Sequence, residues 1–391
     1  MLTLVLTIII FLLYLIYERI LINRWINSIP LRISVTGTRG KSSVVRMLSS
    51  VLREDGKRVL AKTTGSEAKF ILPNGEEREV SRQGVPSIIE QKKLLKKAAA
   101  MNVDCIVAEI MSIHAENHYI ESCQLLKPHI VIITNVRLDH TDAMGKTKDE
   151  ISSVISLDIP EKSKVFIPKN EIRSIFLTTI KNKGRELIEI SEEISSAILE
   201  IAPELKTKHF LGNLDIVYAL GQHFSIREKT ILNGIRKAKY DIGQFKILKY
   251  RLEKGEKTCY FVNGFSSNDP ESTFEVILKI REIIPSASTE LIGLLSLRSD
   301  RGDRTMQWIA ALKNGGSEYF NRIYVLGVHA KIVKRKLKWV DVLKDKSVEK
   351  ITEAIFSNIR DQSVIFGFGN IGGTGRLLVD YWDKLGEEYG I

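Results

Sequence analysis

The chain has 391 residues, of which 44% are hydrophobic and 27% charged, a composition that excludes disorder and suffices for two or three domains. Its formal net charge of +11 arises from 58 Lys and Arg against 47 Asp and Glu with no long basic block, so the positive field suits a nucleotide, a polyanion or an acidic membrane, and nucleic acid is not an expected partner. The three cysteines, Cys105, Cys123 and Cys259, form no C-x-x-C pair, which excludes a disulfide framework or zinc knuckle and points to buried thiols in a reducing compartment.

The first predicted element is apolar. Leu2 to Tyr17 carries no charge, and the apolar pattern resumes at Ile20 to Ile22 after Glu18 and Arg19. A helix over this stretch is about 32 Å long at about 1.5 Å per residue, enough for a bilayer core of about 30 Å. A basic start and a small-x-small cleavage site are both missing, so an uncleaved membrane anchor over 1–24 is expected rather than a signal peptide. Arg19, Arg24 and Arg32 lie C-terminal to it, which places the following body on the cytoplasmic side of a single-pass protein of the cell membrane. The competing reading is a buried core helix.

From Leu31 onward, β-branched runs alternate with helix-length segments, the pattern of α/β units on a mainly parallel sheet. Strands are predicted at Arg32 to Val35, Arg58 to Thr63, Asp104 to Met111 and His129 to Thr134. A polar insertion, Thr64 to Val85, precedes a helix near Ser87 to Met101; insertions of this kind often cover an active site. A turn-like stretch at Tyr240 to Gln244 marks a boundary between a nucleotide-binding domain, 31–240, and a C-terminal Rossmann-like α/β domain, 245–391. The second series opens with strands at Phe245 to Leu252 and Thr258 to Val262. It closes with a strand at Val364 to Phe368, a Gly-rich turn and a helix from Thr374 to Leu385.

Between the first strand and the helix Val44 to Leu52 lies Thr36-Gly37-Thr38-Arg39-Gly40-Lys41-Ser42-Ser43, in the setting a phosphate loop requires. Its glycines let backbone N–H groups close on phosphate oxygens, Lys41 can reach the β and γ phosphates, and Ser42 can ligate Mg²⁺. Val35 stands where the strict pattern has its first Gly. Further on, Ile106-Val107-Ala108-Glu109-Ile110-Met111 is an apolar strand broken by one acid, an expensive position for a carboxylate without a cationic partner. Asn135-Val136-Arg137-Leu138-Asp139-His140-Thr141-Asp142 then crowds an amide, two acids and an imidazole at the end of the next strand, where open α/β sheets hold their ligands. Glu109 and His140 are candidate ligands for Mg²⁺ or Mn²⁺, with Asp139 or Asp142 orienting the imidazole. In the insertion, Arg82 is a candidate for a substrate carboxylate because a guanidinium matches that geometry, with a solvated loop arginine as the equal alternative.

The Gly-Thr-x-Gly-Lys-Ser loop, the strand acid and the N-x-x-x-D-H-x-D run, in this order, resemble the Mur ligase superfamily, folylpolyglutamate synthases included. Phe210-Leu211-Gly212-Asn213 is similar to the family's helix start whose Asn faces adenine, and Asn263 to Pro270 is similar to the turn opening its third domain. Within the superfamily, the anchor, the directly following loop, Arg82-x-Gly84, Ser299 to Arg304 and Gly367 to Gly372 resemble the ligase subunits of poly-γ-glutamate synthases, the CapB/PgsB type. About thirty residues precede the first strand, so the large UDP-sugar domain of Mur ligases is not expected. Two positions depart from the family. Val154 and Ile155 fall where some members carry a carbamylated lysine, and Gly243-Gln244-Phe245 replaces a hinge arginine, whose charge Arg301 or Arg304 would supply.

The resemblance implies ATP, held by Thr36 to Ser43, Asn135, Asn213, Arg301, Asp303 and Arg304, with Lys41, Glu109 and His140 catalytic and Ser42, Glu109 and His140 at the metal. It further implies activation of a glutamate or polyglutamate carboxylate as an acyl phosphate and its capture by an amine. The partners would be other membrane subunits of a polyglutamate synthase. One alternative is a membrane-anchored switch or assembly ATPase, which has no need for the Asn135 to Asp142 cluster. Another is a dinucleotide enzyme, since Gly367-x-Gly369-x-x-Gly372 follows a strand, but no strand with a ribose-binding acid follows before Ile391.

Overall fold

The computed structural model describes the chain except residues 66, 83, 183, 192, 206–208, 240–242, 244, 253–256, 285–288, 345–346, 360–361 and 390–391. It divides into two compact units, one of Met1–Val136, Ala143–Ala197 and Leu211–Lys239, the other of Arg137–Asp142, Ile198–Phe210 and Tyr240–Ile391.

The first unit is built on strands β1 (Leu31–Thr36), β2 (Val59–Thr63), β3 (Lys69–Ile71), β4 (Glu77–Glu79), β5 (Cys105–Glu109), β6 (Ile130–Ile133), β7 (Lys164–Pro168) and β8 (Glu186–Ile190), in the order β4-β3-β2-β5-β1-β6-β7-β8. Strands β2, β5, β1, β6, β7 and β8 run parallel, while β3 and β4 extend the sheet antiparallel. The Thr64 to Val85 insertion therefore contains a sheet-extending hairpin rather than only a loop. Strands β7 and β8, not foreseen in the sequence, prolong the other side; each is only five residues long, and Glu186 and Glu189 blunt the apolar signal of β8. Apolar residues cover both faces of the sheet, one around Leu60, Leu94 and Ile106 and the other around Val131, Ile151 and Phe176.

The N-terminal helix runs unbroken over Leu2–Asn27. Its first part is exposed: the large apolar side chains from Leu2 to Ile20 are each at least 41% exposed, whereas Ile22, Ile26 and the following Ile29 are at most 4% exposed. The last turns thus belong to the core beside the helix Glu90–Ala100, and each buried Ile contributes roughly 1.5–3 kcal/mol. Arg32, read from sequence as a topology signal, has a second task. Its guanidinium donates to the carbonyls of Ile26 and Ile29 at 3.0 and 2.9 Å and to those of Leu126 and Lys127 at 3.1 and 3.0 Å. One side chain so ties the end of the N-terminal helix to the turn after Leu126, where the last carbonyls of a helix lack partners within it.

In the second unit, β9 (Ile247–Arg251), β10 (Thr258–Asn263), β11 (Glu290–Leu297), β12 (Arg322–Gly327), β13 (Asp341–Val342), β14 (Gln362–Phe368) and β15 (Glu387–Glu388) form one sheet in the order β13-β12-β11-β14-β10-β9-β15. The strands from β13 to β10 are parallel, and β9 and β15 close one edge antiparallel. β11 and β14 read as near-continuous apolar runs because helices cover both faces. Asp269 accepts the Ser272 N–H at 2.9 Å and, with Pro270 next, starts the helix Pro270–Ile283.

Candidate active site

β1 lies between β5 and β6, and its register sets Val35 beside Glu109 and Thr36 beside Ile133. The chain leaves β1 into the glycine loop and enters the helix Lys41–Glu54 at Gly40, which has φ of 80°. A Cβ at Gly40 would also stand 2.4 Å from the Asn213 amide oxygen, so both backbone and neighbour require glycine. The Lys41 ammonium leans back on the loop, donating to the Gly37 carbonyl at 2.8 Å. Ser42 Oγ donates to Glu109 Oε2 at 2.8 Å, and the same oxygen accepts the Thr64 N–H at 2.7 Å. Glu109 is 3% exposed, and these two bonds offset the cost of burying it.

A hydroxyl and a carboxylate held together at a helix N-terminus are hard oxygen donors of the kind Mg²⁺ accepts, with phosphate and water oxygens completing its octahedron. Among the described residues no group of three or more His, Cys, Asp or Glu forms a cage that could hold an ion by itself.

Asn135 follows β6 and clasps the loop from the other side. Its Oδ1 accepts Thr38 Oγ1–H at 2.8 Å and the Arg39 N–H at 2.9 Å, its Nδ2 donates to the Arg39 carbonyl at 3.1 Å, and its own carbonyl accepts the Thr38 N–H at 3.0 Å. Asn213, from the helix Leu211–His223, abuts the loop at Gly40. Asn135 thus holds the glycine loop by hydrogen bonds, and Asn213 packs against it.

Beneath this loop lies a buried polar layer that the sequence reading missed. Thr36 Oγ1 donates to Asp158 Oδ2, which also contacts His118 Nδ1 at 2.9 Å, and Ser122 Oγ donates to the Asp158 carbonyl at 2.6 Å. Burial opposes a charge on His118, but Asp158 outweighs it and raises the imidazole above its usual range. Glu121, fully buried, takes the N–H groups of Met111 and Ser112 and an amide proton of Gln91, whose Nε2 also reaches the Glu109 carbonyl. Burial pushes the Glu121 carboxyl up. Lys62 on β2 is buried against Glu90 at 3.2 Å, and burial holds its ammonium below the ordinary lysine range despite that partner. Lys62 carried a readable signal, since it interrupts the apolar run Val59-Leu60-Ala61 as Glu109 interrupts β5.

Arg82 makes a two-pronged contact with Glu90, at 2.7 and 3.3 Å. Burial alone would raise the Glu90 carboxyl, but the bonds from Arg82 and Lys62 hold it below the usual range. These bonds use Nε and Nη2 of a guanidinium that stays 28% exposed, so Glu90 fixes its orientation.

In the second unit, Asp139 gathers the residues expected at the nucleotide. Arg304, 3% exposed, donates to Asp139 Oδ1, as does Arg301 at 3.4 Å, and Arg301 also pairs with Asp303 at 3.3 Å. The same Asp139 oxygen accepts the His140 N–H at 2.9 Å, while the ring Nε2 is 3.9 Å away, beyond hydrogen-bond reach. Asp139 therefore fixes the backbone of His140, whose φ of 46° is left-handed. Glu109 belongs to the first unit and His140 to the second. The hinge position Gln244 lies outside the described residues.

Residues 35–233 match the Mur ligase middle domain, and residues 249–385 match the poly-gamma-glutamate synthase CapB C-terminal domain. The PGA synthase CapB of Bacillus subtilis (strain 168) is 30% identical over 367 residues, 91% of each chain. The chain belongs to the poly-γ-glutamate synthase CapB family. Among solved structures, E. coli FolC in complex with ADP superposes with a TM-score of 0.70 at 13% identity over 94% of both chains. A bifunctional folylpolyglutamate synthase/dihydrofolate synthase with Mn, AMPPNP and L-glutamate bound gives 0.67 at 14%, over 92% of this chain and 91% of that one. These two place this CapB family member in the FolC-like α/β fold, and its glycine loop lies within the part that matches the Mur ligase middle domain.

Proposed function

We propose that this CapB-family protein is an ATP-dependent ligase that lengthens a γ-linked glutamate chain. The observation that carries the reading is the Ser42–Glu109 contact of 2.8 Å at the start of the helix behind the glycine loop, because it sets a divalent-ion site beside a phosphate cradle. In the first step a carboxylate oxygen of the acceptor attacks the γ-phosphorus of ATP, the bond to the bridging oxygen breaks, and ADP leaves. In the second, the amine of the incoming glutamate attacks the acyl carbon, phosphate leaves with the C–O bonding pair, and the nitrogen loses a proton.

The chain's own residues position and screen charge in both steps. The loop N–H groups from Gly37 to Ser43 receive phosphate oxygens, and Lys41 exchanges the Gly37 carbonyl for the β and γ phosphates. Asn135 and Asn213 keep the loop in shape. Ser42 and Glu109 would hold Mg²⁺, which when bound neutralises the charge developing on the transferred phosphoryl group. His140 is assigned to a second ion, and Arg301, Asp303 and Arg304 to fixing the segment that carries it. The exposed helix over Leu2 to Ile20 is assigned to a single span of the cell membrane with the body on the cytoplasmic side, working with other membrane subunits of a polyglutamate synthase.

The deciding experiment measures phosphate release from ATP with Mg²⁺, with and without glutamate or short γ-linked polyglutamate, followed by mass analysis of the products. Glutamate-dependent turnover with products longer by one glutamate is expected. Turnover indifferent to every amino acid tested, with no chain growth, would refute the ligase and favour a switch ATPase.

A further inference from the structure

We propose that the basic side chains ringing the point where the apolar helix enters the body form a binding site for anionic lipid headgroups. The inference rests on the membrane assignment above and adds a recognition surface to it.

The exposed apolar stretch ends at Ile20. From Leu2 to Ile20 a helix rises about 28 Å, so a hydrocarbon core of about 30 Å is used up at the level of Glu18 to Ile20. The body begins at that same level without a linker. Glu18 pairs with Lys92 at 2.8 Å, Arg19 donates to Gln124 at 3.2 Å, and Lys127 donates to Asn23 at 3.5 Å, while the helix continues unbroken into the core at Ile22 and Ile26. Lys92, Gln124 and Lys127 are therefore held at headgroup depth by contacts with the helix itself.

Charge at this level is one-sided. Lys96 lies one turn from Lys92 on the same stripe of the helix Glu90–Ala100, and Arg24 is exposed on the N-terminal helix. Glu18 answers Lys92, but Arg19, Arg24, Lys96 and Lys127 have no acidic partner among the described residues. Burial depresses the Lys127 ammonium, and the nearby Arg19 and Arg32 add to the effect. A phosphate oxygen would relieve this crowding, and an acidic leaflet supplies many. The ring also fixes the tilt of the body on the bilayer, since it engages both sides of the exit point, through Lys92 and through Lys127.

The test uses the full chain in vesicles of phosphatidylcholine alone or with added phosphatidylglycerol. Flotation reads insertion, and the rate of amine-reactive labelling at each lysine, followed by mass spectrometry, reads the ring. With phosphatidylglycerol, labelling of Lys96 and Lys127 should slow by about fivefold or more, the effect of one basic side chain at an acidic surface. Lys239, exposed elsewhere in the first unit, should not change, and about 1 M salt, with a screening length of about 3 Å, should restore the rates. A Lys96→Gln/Lys127→Gln variant should still float but retain less phosphatidylglycerol on extraction from mixed vesicles. Equal labelling in both vesicle types by a chain that floats overturns the proposal while leaving the anchor intact. A chain that floats with neither overturns the anchor as well. Slowed labelling in lipid-free detergent at raised protein concentration would assign the ring to a second copy of the chain and overturn the lipid site.

Discussion

Each unit contains a central parallel strand that runs through a glycine turn into a helix, and the two turns are finished in different ways. β1 leads through Gly37 and Gly40 to the helix Lys41–Glu54, and β14 leads through Gly369, Gly372 and Gly373 to the helix Thr374–Leu385. The first turn offers Lys41 and Ser42 at its helix start with a buried acid from the adjacent strand. The second closes on itself. Asn370 Oδ1 accepts the Gly372 N–H at 3.0 Å, and a Cβ at Gly372 would stand 2.7 Å from Arg298 Nη1. Glycines after a strand thus give room, and what fills the room decides between a ligand cradle and a self-capped corner. The spacing Gly367-x-Gly369-x-x-Gly372 is a dinucleotide pattern only as text.

The two units differ again in how they treat a buried acid, and substitution of the partners should expose this. Asp139 is served by two guanidinium groups, and Arg304→Ala removes the more buried of them. We expect a loss of about 3–5 kcal/mol in unfolding free energy, the usual cost of breaking a buried ion pair, read by denaturant titration, with Arg304→Lys intermediate because it keeps charge but not the fork. A loss under about 1 kcal/mol would show Arg301 sufficient by itself. In the first unit, Lys41→Ala removes a cation whose hydrogen bonds among the described residues are to loop carbonyls, so the melting temperature should hardly move. ATP turnover should fall by roughly 10²–10³-fold, as when a transition-state donor is removed. Undiminished turnover would refute the phosphate-loop assignment.

This contrast also separates what was legible in the sequence from what was not. The places of the glycine loop, Glu109 and Asn135 could be read because their signals are local: glycines before a helix, one acid in an apolar strand, polar residues at a strand end. The final strand and helix were placed within two residues for the same reason. The layer beneath the loop was not legible, because His118, Glu121 and Asp158 sit in short helices and turns where polar residues are ordinary; they become notable only when folding brings them to one buried point. Arg32 reads as a topology signal and Arg82 as a candidate for a substrate carboxylate, yet backbone carbonyls near helix ends also hold one and Glu90 the other, partners that no spacing along the chain reveals. The sequence predicts an anchor over 1–24, but the exposed and buried parts of the helix divide near residue 21 and Ile22 belongs to the core, so any truncation meant to preserve the body should stop before Glu18.

The His118–Asp158 contact makes a pH-dependent distinction between the units. The folded imidazole titrates above its unfolded value, so its contribution is fully present below about pH 6.5 and is lost as pH rises through the folded value. The first unit should therefore lose stability above neutral pH, and His118→Gln should flatten that slope. Calorimetric melting between about pH 6 and 8.5 measures it; an unchanged slope in the variant would mean that His118 is neutral in the folded protein.

The smallest effect returns to the two turns. Gly40 and Gly373 both have left-handed or otherwise positive φ, 80° and 70°. A Cβ at Gly40 meets the Asn213 amide at 2.4 Å, whereas one at Gly373 meets nothing within 4 Å. Gly373→Ala should therefore cost only its backbone penalty, about 1–3 kcal/mol for a conformation that side chains avoid, and leave ATP turnover intact. Gly40→Ala has the left-handed helical penalty of about 1–2 kcal/mol and must also displace Asn213, which distorts the loop assigned to phosphate; its ATP affinity should fall at least about tenfold, or about 1.4 kcal/mol. Equal losses of ATP affinity in both variants would mean that the second turn is not self-contained, and that the division between cradle and corner drawn from their contacts is wrong.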